Sequence, residues 1–259
     1  MPELRVEVAG PVATLTIDNP ARRNALTGQM WDSFAPLLAE LAGAPEVAAL
    51  VVRGAGDDFS AGADIRDLDQ ILRDPLAGDG GHVTAGERAL AAFPKPTIAA
   101  IDGYCVGGGW ELAGACDIRL ASERSTFGVT PARLGILYPL TGMTRLVQLA
   151  GPAAAKHLIL SGELVDAATA ARWGMVSRLL PVAGFWTEID AFVGTLVTRS
   201  RLTQQASKEL IDLIAARDPA LADRAAFWDA EVAASDEARV GAAAFLARQS
   251  PLFPWRGIP

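Results

Sequence analysis

Histidine and cysteine are scarce. The chain has only His82, His157, Cys105 and Cys116 among its 259 residues. A zinc centre or a Cys–His catalytic pair has little to draw on, so no metal is expected. Both cysteines lie in apolar surroundings. They read as buried free thiols of a reducing compartment, not as a disulfide. Long apolar runs are lacking too. The longest, such as VAALVV (47–52), are strand-sized, far short of the roughly 20 residues a membrane span needs. The opening MPELRVEVAG has no basic stretch leading into an apolar one, so no export signal and a cytoplasmic location are expected. Positive charge is in deficit, with 23 Lys and Arg against 30 Asp and Glu and a net charge of −7. That balance does not suit nucleic-acid binding, and a phosphate-bearing ligand would need a local basic patch.

What the chain does have is apolar material: 51% of residues are hydrophobic, ample for one large domain or one with an appendage. Residues 3–18 alternate in polarity around Gly10-Pro11, a hairpin signal. Thr27 is placed to cap a helix over 28–43, with Met30, Trp31, Phe34, Leu37, Leu38 and Leu41 on one face. Residues 47–54 read as a buried strand and 54–64 as a loop of small residues. The segment 74–86 is glycine-rich and is expected to be mobile, with a helix then reaching Phe93. A Pro-punctuated strand follows over 93–103, a helix runs to Ala115, and 116–122 is another strand. VVRGAGDDFSAGADI and AAIDGYCVGGGWEL share one form: strand, small-residue turn, helix start. The pattern argues for repeated ββα units in an α/β core. Strand signals nearly vanish after residue 139, and 182–249 reads as entirely helical.

The glycines of YCVGGGWEL (104–112) are not a dinucleotide fingerprint, because Leu112 stands where the last glycine would be, and no Walker lysine follows. FSAG (59–62) is not a nucleophile elbow, because Asp58 replaces the required glycine; Ser60 reads as structural. Glycines at a strand-to-helix junction expose backbone N–H groups at the positive end of a helix dipole. That makes an anion site or an oxyanion hole. Glu111, three residues after Gly108, can face the same pocket. The alternative is that the glycines serve close packing and Glu111 is a solvated first-turn acid. The second turn, SAGAD (60–64), has the same form, so two N–H donors could converge on one thioester oxygen while Glu111 moves a proton. Asp64 reads as a helix cap, and Asp102 and Asp117 as turn braces.

The stretches IDNPARRNALT, VVRGAGDDFSAGADI, FPKPTIAAIDGYCVGGGWELAGACDIRLAS, FGVTPARLGI and GPAAAKHLILSGELVDAATAARWGMVSRLLP together resemble the enoyl-CoA hydratase/isomerase family, the crotonase superfamily. The resemblance implies an α/β fold with a crotonase-type ββα spiral core over 1–195 and a C-terminal α-helical trimerisation region over 196–259. It implies an acyl-CoA substrate, with coenzyme A entering as part of that substrate and no separate cofactor, and a homotrimer or dimer of trimers. It places an oxyanion hole at the N–H groups of Ala63 and Gly108, with Glu111 as acid/base. Ala61, Gly62, Asp64, Ile65, Gly107 and Pro131 would line the substrate, and Arg22, Arg23 and Lys208 would meet the coenzyme A phosphates. Arg66 is a further basic candidate, and solvated surface is the alternative for all of these cations.

One position departs from the family pattern. Hydratases of the family carry a second glutamate in F-G-x-P-E. Here the stretch is FGVTP and the position is Pro131, which cannot carry a proton. A single glutamate suits isomerisation more readily than hydration. TPARLGILY (130–138) resembles the methylmalonyl-CoA decarboxylase branch, where the counterpart of Tyr138 orients a carboxylate, although that branch has histidine where this chain has Ala63. Tyr138 is thus either a catalytic residue or a half-buried aromatic with a satisfied hydroxyl. A non-catalytic binding protein on the same fold is a third reading, opposed by the intact glycines and Glu111.

Overall fold

The computed structural model describes residues 1–68, 71 and 81–257. Strands β1 (Glu3–Ala9) and β2 (Val12–Asp18) form the expected antiparallel hairpin. β2 sends Ala13, Leu15 and Ile17 inward at 0% exposure, whereas Val6 and Val8 of the edge strand β1 remain exposed. Helix α1 (Gly28–Gly43) starts at Thr27, whose hydroxyl accepts from the Met30 N–H. It buries Met30, Trp31, Phe34, Leu38 and Leu41, with Leu37 half-buried.

β3 (Ala49–Gly54), β4 (Thr97–Ile101), β6 (Ile118–Ser122) and β9 (Arg178–Leu180) continue in parallel from β2. They complete a six-stranded sheet ordered β1-β2-β3-β4-β6-β9. Both faces of β3 are covered. Leu50 and Val52 enter the main core, while Ala49 and Val51 pack with Phe185, Ile189 and Val193 of helix α6 (Phe185–Leu196). This two-sided burial explains why VAALVV is continuously apolar instead of alternating.

A smaller sheet joins β5 (Tyr104–Val106), β7 (Thr126–Gly128) and β8 (Leu164–Asp166). Helix α2 (Gly81–Ala91) packs on α1 and on α3 (Gly108–Ala115). α4 (Leu140–Ser161) is broken at Gly151 and also packs on α2 and α3. The short α5 (Ala167–Arg172) precedes β9.

Two expectations change. Of the glycine-rich segment 74–86, residues 74–80 lie outside the described residues, and from Gly81 the chain is helical. Burial of Val83, Gly86, Glu87 and Leu90 outweighs the weak helix propensity of its glycines. Beyond residue 139 the chain still makes β8 and β9, whose three-residue lengths are too short for an alternating pattern. The remaining helices are α7 (Arg201–Ala216), α8 (Leu221–Ala234) and α9 (Glu237–Ala247). Leu202, Ala206 and Trp228 form a small core of their own there. The expected boundary at 195/196 falls at the end of α6. No helix among the described residues is long and apolar enough to cross a membrane.

Candidate active site

The two small-residue turns lie side by side. Ser60 and Cys105 form a parallel bridge, in which the Ser60 N–H donates to the Tyr104 carbonyl at 2.8 Å and the Val106 N–H to the Ser60 carbonyl at 3.0 Å. Three residues further on each chain stand Ala63 and Gly108. Each follows a glycine with positive φ, Gly62 at +101° and Gly107 at +55°. This left-handed backbone is open to glycine at little cost and turns the next N–H out of the ladder. Neither the Ala63 nor the Gly108 N–H donates to a backbone carbonyl among the described residues. A side chain on Gly108 would begin 3.3 Å from the Ala63 nitrogen, and one on Gly62 would begin 3.1 Å from the Gly108 nitrogen. Two free donors, one at the start of helix α3, therefore border the same small volume.

The Ala63 turn is clamped from below. Ser60 Oγ donates to the Asn24 carbonyl at 2.8 Å and accepts from the Gly62 N–H at 3.1 Å. Fully buried Asn24 donates to the Ala55 and Asp58 carbonyls at 2.8 and 2.6 Å and accepts from the Asn19 N–H at 2.9 Å. Ser60 is thus a brace, as its surroundings in sequence suggest. Asp64 caps the turn Ile65–Asp67 by accepting from the Arg66 N–H. Its ion pair with the Arg66 guanidinium holds its carboxyl below the ordinary value.

Glu111 is one turn into α3 and 2% exposed. Burial first, and the charge of Glu87 second, push its carboxyl well above the ordinary glutamate range, with Arg145 opposing. Its Oε1 has no hydrogen-bond partner among the described residues. The alternative of a solvated first-turn acid is therefore set aside. Tyr138 is 5% exposed and donates its hydroxyl to the Gly107 carbonyl at 2.9 Å. That carbonyl also receives the Glu111 N–H at 3.0 Å, so Tyr138 braces the glycine turn. Burial, and after it Glu111, raise the phenol further. A side chain on Gly142 of α4 would begin 2.8 Å from Tyr138 Cε1 and 2.9 Å from Glu111 Oε1. Glu111 and Tyr138 therefore both border the bare face of Gly142.

The other expected residues are distributed around this centre. Ala61 donates its N–H to the Arg23 carbonyl at 2.8 Å, which puts Arg22 and Arg23, both exposed, beside the Ala63 turn. The Arg23 guanidinium lies over the Tyr104 ring at 4.3 Å. Ile65 is 64% exposed at the same turn. Gly107 donates to the Gly128 carbonyl at 2.9 Å, which lays the FGVTP strand alongside; Pro131 is buried and opens the turn Pro131–Arg133. Lys208 stands apart. Its ammonium donates to Asp117 at 2.8 Å and to the Lys95 carbonyl at 3.2 Å, on a groove that includes Phe93 and Trp228. Asp117 also accepts from the Thr97 N–H at 2.8 Å and Asp102 pairs with Arg124 at 2.7 Å, so both brace turns as read.

Sequence reading missed Glu87 and Arg145. They form an ion pair at 2.8 Å, and Glu87 is 0% exposed. The available signal was a lone charge in register with Leu90 on the buried face of α2, masked by its glycine-rich surroundings.

Residues 7–255 match the enoyl-CoA hydratase/isomerase family. A protein of Mycobacterium tuberculosis named as a probable enoyl-CoA hydratase is 34% identical over 249 residues, 95% of each chain. The short-chain-enoyl-CoA hydratase of Clostridium acetobutylicum is 31% identical over 210 residues, 80% of each chain. A crystal structure described as an enoyl-CoA hydratase/isomerase family member superposes with a TM-score of 0.94, at 38% identity and over 100% of both chains. The match over residues 7–255 and the likeness of these relatives along nearly the whole chain place this protein in the enoyl-CoA hydratase/isomerase family, within the crotonase superfamily.

Proposed function

We propose that the protein catalyses proton chemistry on an α,β-unsaturated acyl-CoA thioester, with reversible hydration, the reaction its relatives are named for, as its main reaction despite Pro131, and double-bond isomerisation within the same machinery. The observation that carries this reading is that the Ala63 and Gly108 N–H groups, which donate to no backbone carbonyl among the described residues, stand within one helical turn of Glu111, whose Oε1 has no hydrogen-bond partner among them. The thioester oxygen accepts both N–H groups, which favour the enolate over the ground-state carbonyl as charge develops. Water adds its oxygen to the β-carbon. Glu111 gives a proton to the α-carbon and takes one from the attacking water, so it ends in the state in which it began. In isomerisation the ionised carboxylate instead takes a proton from the γ-carbon and returns it at the α-carbon. Pro131 contributes no proton, so both transfers fall to Glu111. Arg22 and Arg23, exposed beside the Ala63 turn, face the coenzyme A phosphates.

Exposed Ile211, Ile214, Phe245 and Leu246 on α7 and α9 support a homotrimer or dimer of trimers, which light scattering tests. A monomer at micromolar concentration would contradict that assembly.

Decarboxylation of a malonyl-type thioester is the second reading. The Tyr138 hydroxyl proton is committed to the Gly107 carbonyl, which favours a bracing role over a carboxylate-orienting one. Incubation with a short-chain 2-enoyl-CoA and, separately, with methylmalonyl-CoA, followed by product masses, tests the choice. Gain of one water by the first and no carbon dioxide loss from the second is expected. The opposite pair of results would replace hydration with decarboxylation.

A further inference from the structure

Helices α2 and α4 press a second buried carboxylate toward the helix that carries Glu111. Glu87 is completely enclosed, and only its Oε1 is partnered, by Arg145 Nε at 2.8 Å. Its Oε2 has no hydrogen-bond partner among the described residues, and neither does Oε1 of Glu111. A buried ion pair whose role is stability satisfies both carboxylate oxygens, with arginine's fork as the efficient way. This pair uses one arm and leaves one oxygen bare, an arrangement that calls for an explanation.

The geometry links the pair to Glu111. The Arg145 stem lies on Gly114, with Cδ 3.2 Å from where a side chain would begin there. Gly114 is three residues after Glu111 on α3. Gly142, three residues before Arg145 on α4, leaves its face to the Glu111 carboxylate. One face of α4 thus provides room for Glu111 and, one turn on, the cation that holds Glu87.

We propose that Glu87 and Arg145 are a positioning pair for Glu111, setting the proton affinity of the acid/base group through two opposed charges, a buried carboxylate and a half-buried guanidinium. This rests on the reading of Glu111 as the proton-transfer group. Two carboxyl groups in one low-dielectric interior cannot both ionise freely, so Glu87 disfavours ionisation of Glu111 and Arg145 limits the effect. The electrostatics agree in sign: after burial, Glu87 raises Glu111 and Arg145 lowers it. The titratable groups on the elements packed against α3 are His82, Glu87 and Arg88 on α2, Arg145, Lys156 and His157 on α4, Tyr104 and Cys105 on β5, and Tyr138 before α4; β4 has none. Of these, Glu87 and Arg145 are the two whose charges act on Glu111, with opposite sign. The pair thereby sets how readily Glu111 gives and takes a proton, in a chain that has proline and no second glutamate at position 131.

Infrared titration of the substrate-free protein tests this. The carboxylic C=O stretch of Glu111, identified by its loss in Glu111→Gln, is followed against pH. Glu87→Gln should lower the midpoint by about one pH unit, tenfold in proton affinity, and Arg145→Gln should raise it by a similar amount. Arg145→Lys, which keeps the charge, should stay near the wild-type midpoint. Shifts of the same sign, or none, would overturn the proposal. So would loss of fold in both single neutralised variants, because the pair would then be structural. If only one of them folds, its direction decides. No substrate enters the measurement, so failure of the hydratase reading would appear separately, as absent turnover with intact opposed shifts.

Discussion

The backbone nitrogen of Ala63 lies 3.3 Å from the point where a Gly108 side chain would begin. The space beside Gly108 is therefore the space the two donors share. Gly108→Ala puts a methyl into it, 2.9 Å from Trp31 Cζ2 as well. Overpacking there should cost about 1–3 kcal/mol of stability. Turnover should fall about 10²–10³-fold, as when an oxyanion donor is lost. Steady-state kinetics with a 2-enoyl-CoA, together with the melting temperature, check both.

Glu111 also makes stability depend on pH. Its folded proton affinity lies above the ordinary glutamate value of 4.5. A raised group contributes stability that is fully present below its unfolded value and is lost as pH rises through the folded one. Glu111→Gln has no such proton to lose. Its melting temperature relative to wild type should therefore climb from pH 4 toward neutrality. A constant offset across that range would show that the Glu111 carboxyl is not raised.

Gly142→Ala tests the close approach of α4 to Glu111, the proposed acid/base group. The new methyl would begin 2.9 Å from Glu111 Oε1 and 2.8 Å from Tyr138 Cε1. Alanine favours a helix by about 1 kcal/mol over glycine, but the clash should outweigh that gain. A lower melting temperature and at least a roughly tenfold loss in kcat are expected, because a displaced carboxyl loses its alignment with the reacting carbons. A stabilised, fully active variant would mean that the helix yields freely.

Tyr138→Phe removes the bond to the Gly107 carbonyl and little else. The expected cost is about 1 kcal/mol of stability, with less than a tenfold change in enoyl-CoA turnover. A loss as large as that of Glu111→Gln, measured on the same substrate, would move the Tyr138 hydroxyl into the chemistry.

The repeat of strand, small-residue turn and helix start was legible because both turns need the same glycine conformation. Gly62 and Gly107, each one residue before a free N–H, are local requirements written into local sequence. The capped helix at Thr27 was readable for the same reason. β8 and β9 were not, because three residues cannot show a period. Glu87 and Arg145 escaped notice for a different reason. They stand 58 residues apart in the chain, and nothing near either one signals that the helices that bear them pack on each other and on α3. Tyr138 drew attention through its resemblance to another branch, yet its partner is a backbone carbonyl 31 residues away, which no side-chain pattern reveals.

The central claim is that Glu111 alone moves the proton at an oxyanion site formed by Ala63 and Gly108. The most direct measurement is the rate of hydration of a short-chain 2-enoyl-CoA by Glu111→Gln against wild type, with fold confirmed by circular dichroism. A fall of about 10²–10⁴-fold with little change in KM is predicted, the range for loss of a general acid/base. Wild-type turnover in Glu111→Gln would contradict the account.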